Sequence, residues 1–232
     1  MLHVAARSRK VRGIHMAEIG YYGDYVRFKT EDQEKAVAFL SLDNAVGDHY
    51  QIKTKYIEGE RSDWIVNAFD VEMGELDPKF ADKLDLIQAK KWDVEAILSF
   101  VAFTEAKGEN PGYYWGEVAL VAYDPQYKDA FKTFIDKLDK SIGEGIRPDL
   151  KLGSKGLNSL VAAKGDYLPS GRKPLPEKKK GTAFVKTERS MNEKLVSQAR
   201  KGNKGCVVAS WVLVIFLIAA IAHVVYHYSG LF

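Results

Sequence analysis

The sequence predicts an α+β fold, in which one domain of short strands and helices is followed by a single C-terminal transmembrane helix. Apolar residues alternate along two long segments, capping residues precede amphipathic segments, and the 21 residues from Cys206 to Tyr226 carry no formal charge. A helix of about 20 mostly apolar residues is long enough to cross a membrane core of about 30 Å. The predicted parts are a domain at 1–145, a weakly structured segment with a basic Pro/Lys-rich linker at 146–204, a transmembrane helix at 205–228 and a short tail at 229–232.

The first half of the domain carries strand, turn and helix signals in succession. Thr30 and Gln33 form a capping box in front of a short helix. Residues 48–57 alternate in polarity, which is typical of a strand. The remaining predictions are strands at 2–6, 10–19 and 64–71, an aromatic turn from Tyr21 to Tyr25, a helix at 35–42 and a turn at 58–62.

The second half of the domain has the clearest periodicity. Asp77 is a good N-cap with Pro78 at the first helical position, and this helix runs to about Ala89. Residues 92–103 and 113–123 alternate and flank a glycine-containing turn, so they predict a hairpin. A second helix follows Asp124-Pro125, with apolar residues at Tyr127, Phe131, Phe134, Leu138 and Ile142. A last short helix is predicted at 150–163.

Charge is distributed unevenly along the chain. Residues 172–204 carry 11 Lys or Arg against three Glu, a net charge of +8, so the total of +3 leaves −5 for residues 1–171. The positive-inside rule then places the large N-terminal part in the cytoplasm and predicts a single-pass, tail-anchored membrane protein. The predicted membrane-surface residues are Lys178, Lys179, Lys180, Arg200, Lys201 and Lys204.

These basic residues have three interpretations, which the sequence leaves open. They contact anionic lipid head groups, they contact nucleic acid, or they belong to a plain solvated linker. The predicted transmembrane helix makes the lipid bilayer a partner, and the first interpretation adds anionic lipid head groups.

No enzyme class has a signal in the sequence. The patterns CxxC, HExxH, GxSxG and GxxxxGK[ST] are absent, and Cys206 is the single cysteine. The acidic residues at helical spacing are typical of caps and solvated faces. We therefore predict no catalytic residue, no metal site and no cofactor.

One part of the chain resembles a known family, the HIRAN domain. The segment from Met73 to Leu84 (MGELDPKFADKL), the strand from Val94 to Phe103 and the segment from Gly112 to Val118 (GYYWGEV) are similar to the second half of that domain. The preceding Asn67 to Val71 (NAFDV) is similar to the Asn-Ala-apolar-x-Val strand of the family. The resemblance covers about residues 11–123.

The resemblance implies a small SH3-like β-barrel with short helices. Family members attached to DNA translocases bind the free 3′ end of single-stranded DNA and stack bases on aromatic rings. Here Tyr21, Tyr22, Tyr25 and Trp64 would supply the rings and Arg27 a phosphate contact.

Two features depart from the family. Arg61 to Val66 (RSDWIV) stand where the family has an Asn-Pro-x-Asp turn. The acidic domain also opposes phosphate binding. Both departures argue against the nucleic-acid site. The prediction is a membrane-tethered cytoplasmic binding module with a HIRAN-like core, and nucleic-acid ends are the ligand that the resemblance implies. The alternative is a membrane-linked assembly subunit that binds protein partners and has no nucleic-acid site.

Overall fold

The computed structural model describes residues 20–30, 33–108, 112–200, 212–219 and 221. It divides into two units, Met1–Arg189 and Ser190–Phe232. The strands predicted at 2–6 and 10–19 lie outside the described residues. The fold and the candidate site belong to the first unit.

Seven antiparallel strands form the sheet of the first unit, in the order β2-β3-β4-β1-β6-β5-β7. A further pairing of β2 with β5, through His49↔Ile97 and Tyr50↔Ala96, closes six of the strands into a ring. The strands are β1 (Tyr21–Thr30), β2 (His49–Ile57), β3 (Glu60–Val66), β4 (Glu72–Leu76), β5 (Asp93–Thr104), β6 (Tyr113–Tyr123) and β7 (Thr182–Lys186).

Short helices connect the strands. In the first unit they are α1 (Gln33–Ala38), α2 (Ala81–Ala89), α3 (Lys128–Gly143) and α4 (Gly153–Ala162). The second unit contains α5 (Met191–Arg200) and a helical stretch at 212–219. The side chains of Asp77 and Asp124 accept hydrogen bonds from Lys79 N and Gln126 N, so both predicted N-caps are confirmed.

Two large hydrophobic clusters lie on opposite faces of the sheet. The larger draws buried residues from all six strands of the ring, among them Phe28, Ile65 and Leu98, and therefore fills its interior. The other packs α3 and α4, through residues such as Phe134 and Leu157, onto the outer face.

The predicted fold class, a small SH3-like β-barrel with a single C-terminal transmembrane helix, is wrong. The first unit is a mixed α/β structure with a seven-stranded antiparallel sheet and short helices. Within the described residues, no helix has the length and apolar character needed to span a membrane. Of the predicted helix at 205–228, only 212–219 and 221 are described, and both are helical.

The predicted membrane localisation depended on that helix and is overturned with it. The 21 uncharged residues from Cys206 to Tyr226 make this segment apolar. An apolar composition alone does not determine where a helix begins and ends. The correction rests on the finding that no helix among the described residues is long and apolar enough to span a membrane. The predicted single-pass, tail-anchored topology is corrected on the same ground.

Two other segments differ from the predicted elements. Tyr21 to Tyr25, predicted as a turn, begin the ten-residue strand β1. The segment 146–204, predicted as weakly structured apart from a short helix at 150–163, contains that helix as α4, but it also contains the unpredicted strand β7 and an isolated bridge between Pro148 and Arg172. These elements pack through contacts distant in sequence, which local patterns do not reveal.

His49 links three elements where the ring closes. Its Nδ1 lies 3.0 Å from Glu95 Oε2 on β5, and its Nε2 lies 3.7 Å from Asp139 Oδ2 on α3. The carboxylates of Asp139 and Glu95 raise the pKa of His49 to about 9. The protonated ring therefore connects β2 to β5 and α3 at neutral pH.

This geometry predicts a pH dependence of stability. The pKa of His49 is raised from 6.5 to about 9 in the folded state, so its stabilisation is complete below pH 6.5 and is lost as pH rises through about 9. Because the side chain is partly exposed, solvent screening limits the loss to about 1 kcal/mol. Urea unfolding between pH 6 and 10 should show this decline in the natural chain and a smaller one in His49→Gln. An equal decline in both proteins would contradict the assignment.

Candidate functional site

Three of the predicted base-stacking rings are buried. Tyr21, Tyr22 and Tyr25 are each 7% exposed or less. The hydroxyl of Tyr21 donates to Leu150 O at 2.8 Å and that of Tyr25 donates to Pro148 O at 3.0 Å, whereas Tyr22 packs in the ring interior. Burial raises the pKa of all three phenols. A nucleic-acid base cannot reach these rings in this structure, so they do not form one exposed face with Trp64.

Arg27 and Trp64, the other two predicted residues, lie on the outer face of the sheet. Arg27 is exposed, and its Cζ lies 3.9 Å from the centre of the Trp115 ring on β6. Trp64 is half-buried, with its Nε1 donating to Ser62 Oγ at 2.7 Å and Lys55 Nζ 5.8 Å from its ring. The Trp115 and Trp64 rings are therefore each accompanied by a cation.

Strand register explains how this face is assembled. Lys29 on β1 lies opposite Glu75 on β4 and opposite Trp115 on β6, while Trp64 on β3 also lies opposite Glu75. Directly paired residues in antiparallel strands point to the same side of a sheet. Lys29 Nζ lies 4.6 Å from the centre of the Tyr113 ring, which gives a second cation–ring pair beside that of Arg27. We refer to Arg27, Lys29, Tyr113 and Trp115 as the cation–aromatic face.

A pocket of about 380 Å³ adjoins this face. It lies beside the paired ends of β1 and β4, where Phe28 is opposite Leu76, Lys29 is opposite Glu75, and Asp77 N donates to Arg27 O at 2.8 Å. The lining includes Arg27, Lys29 and Tyr113, and the carboxylates of Glu75 and Asp77. Glu75 accepts a hydrogen bond from Ser62 Oγ at 2.6 Å, and Asp77 accepts one from Lys79 N at 3.0 Å. Both carboxylates therefore already have a partner in the protein.

Within the part of the chain that the structure describes, no carboxylate pairs with Arg27. Its cross-strand partner is Glu117, but Glu117 forms a salt bridge with Arg147 instead. Among the described residues, no hydrogen bond or salt bridge involves the Arg27 side chain, and the Trp115 ring is its contact. A cation on an aromatic face gains roughly 0.5–1 kcal/mol at an exposed site, so Arg27 is held in place yet remains available to an anion.

The predicted basic residues are not all in the described part of the chain. Lys178, Lys179 and Lys180 are exposed and precede β7. Arg200 ends α5 in the second unit, whereas Lys201 and Lys204 lie outside the described residues. Lys173, in the same basic segment, is bonded to Asp24 at 3.0 Å.

Lys29, Tyr113 and Trp115 were not identified as site residues from the sequence. The alternation of β6 places Tyr113 and Trp115 on one face of a strand, and that signal was present. The cations above them come from β1, which was predicted as a turn at its start. Only the β1–β6 register brings the two sets together.

Across residues 20–30, 33–108, 112–200, 212–219 and 221, no group of three or more His, Cys, Asp or Glu side chains is arranged to hold a metal ion. No protein-family model, curated protein or solved structure matches the chain. The resemblance to the HIRAN domain therefore stays a prediction. The fold and this face define a class of structure, an α/β unit with a closed antiparallel sheet that presents cations stacked on aromatic rings.

Proposed function

We propose that the first unit is a binding module for single-stranded nucleic acid and that it binds through the cation–aromatic face. The observation that carries this proposal is the exposed guanidinium of Arg27, which lies 3.9 Å from the Trp115 ring with no carboxylate partner among the described residues. Proteins that bind single strands combine cations along the backbone with rings on which bases stack.

The residues of the face take different roles in this proposal. Arg27 and Lys29 contact phosphate groups, and the half-buried Tyr113 ring stacks on a base. The pocket of about 380 Å³ is large enough for one nucleotide, since small-ligand sites occupy roughly 300–1,000 Å³. Glu75 and Asp77 in its wall disfavour additional phosphates, so binding is modest and sensitive to salt.

A protein partner is the second candidate, and two observations favour it. The first unit, Met1–Arg189, has no net charge, because the −5 of residues 1–171 is balanced by +5 from residues 172–189, so the unit as a whole does not attract a polyanion. Tyr56 and Ile57, at the tip of the β2–β3 hairpin, are also exposed, the tyrosine by 73%. A protein partner would bury these two side chains and would not require the cation–aromatic face.

Fluorescence anisotropy with a labelled thymidine oligonucleotide of about 15 nucleotides tests the proposal. Arg27→Ala should weaken binding by about tenfold, because hydrogen bonds to charged groups contribute roughly 1.5–3 kcal/mol. The slope of log K against log salt should also fall by about 0.7, which corresponds to one lost phosphate contact on a single strand. Tyr113→Ala should weaken binding by about 5- to 150-fold through the lost base stack.

Lys132→Ala is the matched control, since Lys132 is an exposed cation on α3 and not on the cation–aromatic face. Equal affinity of Arg27→Ala and Lys132→Ala would show that binding occurs elsewhere. No binding by the natural chain at low salt would remove the nucleic-acid function and leave the protein-partner candidate. A comparison of free and blocked 3′ ends shows whether the module recognises an end.

A further inference from the structure

We propose that Arg147 is a positioning residue, which keeps Arg27 available to a ligand by holding the carboxylate of Glu117 away from it. This inference rests on the proposed function, because it assigns a control element to the same face. Arg147 lies outside the cation–aromatic face, in the segment between α3 and α4.

The register of β1 and β6 makes the arrangement unexpected. Arg27 and Glu117 are directly paired across the two strands. Opposite charges in such positions ordinarily attract each other, since their Cβ atoms are only about 5 Å apart. Here the Arg27 guanidinium lies over Trp115 and the Glu117 carboxylate binds Arg147. The competition for Glu117 is therefore decided in favour of Arg147.

Arg147 is held firmly enough to decide that competition. Its side chain is 4% exposed, its Nη2 binds Glu117, and its Nη1 donates to Pro174 O at 2.8 Å. Its Cζ lies 4.3 Å from the Tyr25 ring centre and 5.2 Å from that of Phe100. The backbone is fixed too, because Lys173 N donates to Arg147 O at 2.8 Å.

One detail argues against a purely structural salt bridge. The Nε atom of Arg147 is buried and finds no hydrogen-bond partner among the described residues. Leaving a buried donor unsatisfied is destabilising, so the guanidinium is placed to reach Glu117 and Pro174 rather than to satisfy all of its own donors. If its charge is removed, Glu117 has Arg27 as the cation directly across the strand pair.

The experiment compares Arg147→Gln, Glu117→Gln and the double variant in the full chain, with two readouts. The first is affinity for the thymidine oligonucleotide, with its salt dependence. The second needs no ligand: the ¹⁹F NMR signal of Trp115 in 5-fluorotryptophan-labelled protein, assigned with Trp115→Phe. Arg27→Ala defines the signal of a Trp115 ring without its guanidinium.

Arg147→Gln should move the Trp115 signal toward that of Arg27→Ala and weaken oligonucleotide binding by about tenfold, as loss of one charged contact predicts. Adding Glu117→Gln should restore the Trp115 signal and the oligonucleotide affinity, because no carboxylate then competes for Arg27. A residue that is only structural would not be rescued in this way. Lys173→Gln is the matched control, since Lys173 also lies over Tyr25, at 5.2 Å, but pairs with Asp24.

An unchanged Trp115 signal in folded Arg147→Gln would overturn the inference, as would a double variant no better than Arg147→Gln. If Arg147→Gln does not fold, the double variant tests the inference in its place. The inference requires the double variant to keep the Trp115 signal of the natural chain. If the natural chain binds no oligonucleotide, the proposed function fails, while the Trp115 signal still tests the competition for Glu117.

Discussion

Replacing Phe28 by alanine is expected to lower the free energy of unfolding by about 3–5 kcal/mol, the usual cost of deleting a buried phenylalanine side chain. Phe28 is 1% exposed inside the ring and stacks on Phe39 with ring centres 5.2 Å apart. It also lies against Gly74 and Gly116, where a Cβ atom would come within 2.8 Å and 2.7 Å of its ring. These glycines cannot fill the cavity, so little relaxation is available.

Urea unfolding followed by circular dichroism measures this effect. Tyr56→Ala is the control, since that tyrosine is exposed and its loss should change stability by no more than about 0.5 kcal/mol. A loss below about 1.5 kcal/mol for Phe28→Ala would mean that the ring interior is not the main core.

Gly165→Ala is expected to destabilise the protein by about 3 kcal/mol through two separate effects. Gly165 has a φ of +83°, which costs an alanine roughly 1–2 kcal/mol. An added Cβ would also lie 2.0 Å from Ala130 O, a backbone atom of α3 that cannot move without displacing the helix. Overpacking of this kind typically costs a further 1–3 kcal/mol.

Gly153→Ala separates the two effects. Gly153 also has a left-handed φ, of +59°, but an added Cβ would meet nothing within 4 Å. Gly153→Ala should therefore lower the free energy of unfolding only by the cost of the left-handed backbone conformation, about 1–2 kcal/mol. Equal losses for the two variants would show that the segment after α4 does not pack closely on α3.

Much of the second half of the domain could be predicted because its signals are local. The alternation of residues 92–103 and 113–123 predicted β5 and β6, and the spacing from Tyr127 to Ile142 predicted α3. The capping residues Asp77 and Asp124 were also correct. In each case a period or a cap acts within a few residues, so no distant contact is needed to recognise it.

The first strand was missed for a physical reason. Gly23 and Asp24 among tyrosines are typical of a turn, but Gly23 is needed for close packing. A Cβ there would lie 2.1 Å from the Tyr21 hydroxyl and 2.5 Å from Leu150 O. Leu150 is more than 120 residues away, so its approach to β1 could not be inferred from the local pattern.

Within the candidate site, the sequence identified Arg27; of the other predicted residues, Trp64 lies half-buried on the same face of the sheet and the three tyrosines are buried. Exposure depends on what packs against a strand, and α3 and α4 cover the face that carries Tyr21 and Tyr25. The rings that accompany Arg27 and Lys29 are Trp115 and Tyr113 on the neighbouring strand. A shift of one residue in register would place them on the other face.

By itself, the sequence determined β5, β6 and α3, the N-cap Asp77 and the uneven charge along the chain, since each depends on composition or short-range spacing. Tertiary structure alone decided the closure of the ring by β2 and β5, the burial of the tyrosines and the pairing of Glu117 with Arg147 rather than Arg27. Arg147 lies 30 residues from Glu117. Several cations compete for one carboxylate, and the packed geometry of distant segments selects among them.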